Sequence, residues 1–483
     1  MGRAVILLRI FAIVGFVFAL TGVRASAQTF SLYGVSQKVC QLNGQTDWAT
    51  NTPTIAQTLT NFGMEAADLG APVDTGAATL YFLFGDTRPN GHSPGSMPEV
   101  PPDDSVGMSS SSTPPTSTTC LGLQVETVTS APPTLARPTI TPAIDQGSFN
   151  VPTGGVYVGT SLYEFFWTNH CLNPGILVPS PTDPLVLPTT PPPWPPPVCP
   201  ESASLNSIGI SVLGQSVGSS DVSFTQPMVG GTAVTMPSGF VYVNAVDATH
   251  APNLAPSYQQ LGIFITGVPR YRASIPYLAY ATAANIGDPS QWMFLNGLSG
   301  SSPNWISRAA WESKHDAKGL WVPPSSSVQI YNPSTSEQCI GEHSLTWNAP
   351  LNVWLLLYGC SGSVEARYAP APWGPWSEPI VLLSVAHDPG LYCTLLQNAT
   401  GCLGLTNYQL FPNGKIWPGV LYAPFVLSRF TQDVSPPGPR IIRRARIYWL
   451  VSTWNPYFVV VMQSTLQTAT FVRKPRCSGT KCM

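Results

Sequence analysis

Beyond its first 27 residues the chain contains no hydrophobic run that lasts more than about ten residues before Gly, Pro or Asn interrupts it. With 51 prolines and 41 glycines, long helices are hard to place and strands separated by tight turns are easy. The apolar segments are short and rich in Val, Tyr, Phe and Trp, as strand formers are. Thr79–Phe84 (TLYFLF) precedes a GDT sequence that reads as a turn. Gly155–Trp167 holds two β-rich runs around Gly159 and Thr160, and Phe240–Val246 and Leu261–Thr266 have the same character. Ser344–Trp347 and Val353–Tyr358 flank NAPLN, and Arg446–Ser452 and Tyr457–Met462 flank TWNP, so each pair reads as a hairpin. Only Asn285–Met293 and the neighbourhood of Ile306–Lys318 offer a turn or two of helix.

The expected class is therefore all-β. Residues 28–483 exceed one ordinary sandwich but suit a single propeller domain of five four-stranded blades with loop insertions. Two separate sandwiches are the competing arrangement, and no clean linker supports them. Val178–Pro200 (VPSPTDPLVLPTTPPPWPPPVCP) cannot join a sheet because proline has no N–H to donate. Cys171 and Cys199 bracket it, so residues 172–200 read as a loop insertion pinned at its base. The Ser/Thr/Pro tract Asp104–Thr119 reads as a surface loop ending at Cys120.

The opening residues carry Arg3 and Arg9, then an uncharged apolar run Ile10–Val23, then Ala25-Ser26-Ala27. This is the pattern of a secretory signal peptide over residues 1–27, and the run falls short of the roughly 20 residues that a spanning helix needs. A secreted or envelope-associated protein with no membrane span after cleavage is expected. All ten cysteines follow the cleavage site, an even number that reads as disulfides paired in sequence order, Cys393–Cys402 and Cys477–Cys482 foremost. No short C-x-x-C pair with a nearby His suggests a metal.

Charged residues make up 10% of the chain and the net charge is −2, so no basic surface is available to neutralise phosphates and nucleic acid is not an expected partner. Arg440, Arg443, Arg444 and Arg446 form the one cationic run, read as a solvated strand edge. No HExxH, Walker or Rossmann pattern is present. No cofactor or metal is expected. His92, His170, His250, His315, His343 and His387 stand in scattered contexts. Carboxylates are what remain, and an acid beside an apolar strand is informative because burying an unpaired charge costs several kcal/mol. Asp68 (EAADLGAP), Asp86 (YFLFGDTRP) and Glu342 (CIGEHSLTW) meet that description. Two carboxylates flanking a scissile bond are the minimum apparatus of glycoside hydrolysis. Each could equally be structural: Asp68 capping a turn, Asp86 making an Asx-turn, Glu342 a strand-edge charge.

The order of these motifs resembles a bacterial secreted family first catalogued as domain of unknown function 4185 (DUF4185) and associated with endo-D-arabinanases. DLG (Asp68–Gly70) and LYFLFGDT (Leu80–Thr87) are similar to that family's first blade, where two aspartates occupy neighbouring strands at the mouth of the propeller. TGVPRYRASIPYLAYA (Thr266–Ala281), DPSQWMFLNG (Asp288–Gly297), GEHSLTWNAPLNVWLLLYG (Gly341–Gly359), ARYAPAPWGPWSEP (Ala366–Pro379) and VSTWNPYFVVVM (Val451–Met462) follow in family order. The resemblance implies a five-bladed β-propeller glycoside hydrolase acting on the D-arabinan of arabinogalactan or lipoarabinomannan. It places Asp68 as base or nucleophile, Asp86 as general acid or tuning partner and Glu342 in reserve.

For substrate binding the candidates are Arg270, Tyr271 and Arg272, Arg367, and the aromatic residues Trp454 and Tyr457, with Trp373, Trp376 and Trp417 as weaker ones. Asp103 and Asp104 read as loop residues at a rim. Two other outcomes stay open: a non-catalytic propeller that binds envelope glycan or protein, and an enzyme of another class for which His343, beside Glu342, would matter most.

Overall fold

The computed structural model describes residues 29–89, 103–125, 150–159, 161–168, 210–214, 237–240, 242–251, 254–268, 272, 274–317, 321–323, 339–397, 399–402, 418–437 and 442–469. The signal segment, the Pro-rich insertion, Cys171, Cys199, Cys477, Cys482 and Arg440 lie outside them. The protein is mostly β, arranged as successive antiparallel sheets.

The first sheet comprises Met64–Asp74, Leu80–Pro89, Asp103–Ser109 and Gln124–Val125. The second holds Asn150–Val158, Ser161–Thr168 and Ile210–Gly214. The third holds Tyr242–Asp247, Ile263–Val268, Tyr277–Ala281, Met293–Ser299 and Ser302–Ser307. The fourth holds His343–Asn348, Val353–Cys360, Ser363–Ala369 and Ile380–Leu383. The fifth is built on Val420–Val426, Arg444–Trp454 and Phe458–Ala469. Its outer strand is paired by the amino-terminal strands Thr29–Leu32 and Gln37–Gln41, so residues from the two ends of the described chain share one sheet. A short strand, Gln432–Asp433, pairs with Arg444–Trp454 in the fifth sheet, and a two-residue ribbon joins Thr46–Asp47 to Thr52–Pro53.

The opening strands of these sheets touch in a closed cycle: first to second, second to third, third to fourth, fourth to fifth, and fifth back to first. The core lies between neighbouring sheets. Phe82, Phe84, Phe425 and Val459 pack between the first and fifth, Trp449 and Leu357 between the fifth and fourth, Phe165 and Trp292 between the second and third, and Phe264 and Trp354 between the third and fourth. Strands buried on both faces this way read as nearly continuous apolar runs, as Ile263–Val268 and Val353–Cys360 do.

Among the described residues three sequence-order disulfides form, Cys40–Cys120, Cys339–Cys360 and Cys393–Cys402. Both hairpins form as expected, around NAPLN and TWNP. Three expectations need correction. GDT is not a turn: the strand runs on through it to Pro89, held by the pairing of Thr87 with Asp103 and by a 2.7 Å hydrogen bond between the Thr87 and Ser105 hydroxyls. The tract after Asp103 is a loop only past Ser109, because Ser105 and Val106 are buried in a strand paired to Phe84 and Leu83. Arg444 and Arg446 begin a central strand, not an edge, with partners on both sides. Among the described residues helix is confined to short pieces such as Pro289–Gln291 and Arg308–Glu312, the longest being Pro389–Leu395.

Candidate functional site

Asp68 lies in the first strand of the first sheet, opposite Gly85. The strand is irregular there: its register shifts between Ala66 and Asp68 and again between Leu69 and Ala71, and Leu69 and Gly70 have φ of 57° and 62°. A leucine in the left-handed region is uncommon and needs its surroundings to hold it. Here the bulges break the alternation of side chains, so that Asp68 and Leu69 are both buried next to Gly85. A Cβ on Gly85 would sit 2.8 Å from Asp68 Oδ1, so the glycine of GDT makes the room that the carboxylate occupies. Asn43 fixes the strand just before it, donating to the Ala67 carbonyl at 2.9 Å while its own carbonyl accepts Val459 N–H at 2.8 Å.

Asp68 is 5% exposed. Tyr422, from the first strand of the fifth sheet, donates from Oη to Asp68 Oδ2 at 2.7 Å. The Asp68 carboxyl is raised to about 6: burial pushes it up most, against hydrogen bonding from Tyr457 and Tyr422 that pulls it down, while Glu342 raises it and Arg88 lowers it. Oδ1 has no hydrogen-bond partner among the described residues.

Glu342 precedes the first strand of the fourth sheet and is also 5% exposed. Arg272 reaches it, Nη2 to Oε1 at 3.5 Å. The chain brings the two together through a backbone bridge two residues from each, Ser274 with Ile340, whose N–H donates to Ser274 O at 3.1 Å. Cys339, one residue further back, is tied to Cys360. Arg272 has φ of 52°, is 39% exposed at its side chain, and places its guanidinium 5.1 Å from the centre of the Tyr422 ring. Arg88 does the same to Tyr457 at 4.8 Å. Tyr457 sits in the turn after Trp454, and the two rings meet edge to face at 5.4 Å. Thr453 braces that turn, donating to Pro456 O at 2.6 Å and accepting from Phe458 N.

These groups gather at one end of the ring, where first strands begin and second strands finish. Toward the other end, residues of all five first strands, among them Val73, Val156, Asn244, Thr346 and Phe425, line a cavity of about 400 Å³.

The structure thus brings together Asp68, Glu342, Arg272, Tyr457 and, beside Tyr457, Trp454. Arg88 and Tyr422 belong to the same group and escaped the sequence reading. Arg88 follows GDT directly, and a cation in an apolar strand was as informative as the acids. Tyr422, inside VLYAPFV, carries no comparable signal. Arg367 is elsewhere, buried in the fourth sheet and donating to Tyr358 Oη at 2.9 Å and Ser377 O at 2.6 Å. Trp373 donates to Ser301 O and packs on Trp305, and Trp376 donates to Pro372 O. For Asp86, Asp103 and Asp104 only the backbone is described, in paired strands. Arg270, Tyr271, Trp417, His92 and His170 lie outside the described residues.

His343 is buried and held neutral. Nδ1–H donates to Gly341 O at 2.9 Å, which leaves Nε2 to accept from Thr266 Oγ1 at 2.8 Å, and burial lowers the imidazole to about 4. A further acid, Glu164, is fully buried in the second sheet with neither carboxyl oxygen partnered among the described residues, and burial raises it to about 8. Among the described residues no group of three or more His, Cys, Asp or Glu could hold a metal ion, and no helix is long and apolar enough to cross a membrane.

Residues 250–463 match the family model described as "Domain of unknown function (DUF4185)". No curated protein matches the chain. Among solved structures, it is similar to a protein of Bacteroides ovatus ATCC 8483 described as a "putative hydrolase", at 11% identity over 84% of this chain and 87% of that one, TM-score 0.45. It is similar to the exo-beta-1,3-galactanase of Phanerochaete chrysosporium at 9% identity, 90% and 97% coverage, TM-score 0.30. The neuraminidase-like protein of subtype N11 from A/flat-faced bat/Peru/033/2010 follows at 8% identity, 93% and 100% coverage, TM-score 0.32.

Proposed function

We propose, from the match of residues 250–463 to the DUF4185 family model, a secreted glycoside hydrolase on a five-bladed β-propeller, endo-acting on D-arabinan of a bacterial cell envelope. The observation that carries the reading is the pairing of two buried carboxylates from different sheets, Asp68 and Glu342, close enough for one to raise the other's proton affinity. A hydrolase of this kind needs one carboxyl that keeps its proton and a second that does not, and unlike surroundings are what separate them.

Asp68 is the proton carrier in this reading. The sequence offered it as base or nucleophile; its burial favours the acid. It protonates the glycosidic oxygen as the bond to the anomeric carbon breaks. The partner carboxylate, taken as Glu342 beside Arg272 or as Asp86, activates water for attack on the oxocarbenium-like centre or attacks it directly. The half-exposed Arg272 and Trp454 meet sugar hydroxyls and the apolar ring face. The closed cycle of first strands supports a propeller, with the five larger sheets as its blades.

The test is to incubate the purified mature protein with arabinogalactan and separate the products by chromatography, alongside Asp68→Asn, Asp86→Asn and Glu342→Gln. Wild type is expected to release oligosaccharides and Asp68→Asn to release none. Retention on the glycan without release by the wild type would replace this reading with a binding module.

A further inference from the structure

We propose that Tyr422 and Tyr457, each with an arginine over its ring, form a clamp that holds Asp68 in one orientation, one carboxylate oxygen engaged and the other left for the reacting proton. The inference rests on the reading of Asp68 as the reacting carboxyl, and gives the two tyrosines a positioning role within it.

Tyr422 comes from the opening strand of the fifth sheet and Tyr457 from a turn of the same sheet, while Asp68 belongs to the first. The phenol of Tyr422 is committed to Oδ2 at 2.7 Å, whereas Oδ1 has no partner among the described residues and rests against the space that Gly85 leaves. An unpartnered buried oxygen costs free energy and is retained where something else supplies a partner. In this site the missing partner is the leaving oxygen of a bound substrate.

The arginines repeat on both sides: Arg272 lies 5.1 Å from the centre of the Tyr422 ring and Arg88 4.8 Å from that of Tyr457. A cation over a phenol ring draws electron density from it and strengthens the O–H as a donor. Two strengthened donors favour the ionised carboxylate and so oppose the burial that favours the acid. The carboxyl is thereby poised to give up its proton and take it back. Among the described residues the charged groups facing Asp68 are Glu342 and Arg88, with Arg272 reaching it through Tyr422 and Glu342.

The sharpest test needs no substrate. Tyr422→Phe, Tyr457→Phe and the double variant are made in the wild-type and Asp68→Asn backgrounds, and melting temperature is followed from pH 4 to 9. Losing a donor to the carboxylate should move the pH above which the difference between the two backgrounds stops changing upward by about one unit for either tyrosine, and further for both. An equal offset at every pH, the same in both backgrounds, would make the tyrosines packing residues and overturn the clamp. Where one single variant does not fold, the other carries the same comparison. On D-arabinan, each single variant should lower kcat about tenfold with KM within about twofold, and should move the alkaline limb of the pH profile, which the proton-carrying Asp68 sets, upward. A rise in KM alone would make them substrate contacts instead. If the wild type releases nothing from D-arabinan, the hydrolase reading fails, and the melting series still decides whether the clamp exists.

Discussion

Gly85 stands directly across the strand pair from Asp68, and a single methyl group there would lie 2.8 Å from Asp68 Oδ1 and 2.8 Å from Leu69 Cδ1. The glycine in GDT is therefore part of the geometry of the acid on the neighbouring strand. Gly85→Ala must push Asp68 or Leu69 aside, and both are buried. The expected cost is about 1–3 kcal/mol of stability, measured by urea unfolding, with a larger proportional loss of arabinan hydrolysis. Full activity in a stable Gly85→Ala protein would mean that Asp68 is not held where it reacts.

Glu164 makes a prediction about pH. Its carboxyl ionises at about 8 in the fold against an ordinary value of 4.5, because it is buried. Between those two values the unfolded chain is ionised while the folded one keeps its proton, so this group erodes stability as pH rises. The slope approaches about 1.4 kcal/mol per pH unit and levels off above about pH 8. Glu164→Gln removes the effect. The difference in melting temperature between variant and wild type should therefore widen in the variant's favour from pH 5 to pH 8 and stay constant beyond. A difference that does not change with pH would show that Glu164 finds a partner for its charge.

Cys40 and Cys120 close 80 residues of chain and join an amino-terminal strand of the fifth sheet to the loop that follows the third strand of the first. The bond thus staples the place where the cycle of sheets shuts. Replacing both cysteines by alanine should cost about 2–4 kcal/mol in guanidinium unfolding, more than opening the short Cys393–Cys402 loop of 9 residues. Equal costs for the two would argue that closure adds nothing beyond a local constraint.

Much of this architecture was legible in the chain itself. TLYFLF, FVYVNAV and the hairpins around NAPLN and TWNP carry their strand character in local composition, and the pairing of Cys393 with Cys402 follows from proximity along the chain. The closure was not legible. Thr29–Leu32 pairs with residues 466–469, and no local pattern encodes a partner that far away. The site divides in the same way. Asp68 and Glu342 stood out as acids beside apolar strands, whereas Tyr422 looks like any core tyrosine until the fold carries it across 354 positions to Oδ2 of Asp68. Glu164, in LYEFFW, satisfies the criterion that selected Asp68 and was passed over, which shows that an acid in an apolar strand marks a strained carboxyl before it marks a reacting one.

The initial rate of reducing-end release from purified D-arabinan, compared between wild type and Asp68→Asn at the pH optimum of the wild type, tests the central claim most directly. The account predicts measurable release by the wild type and a fall of at least about a hundredfold in the variant, with glycan binding retained. Equal rates in the two proteins would contradict Asp68 as the proton carrier, and no release by a folded wild type would contradict the hydrolase.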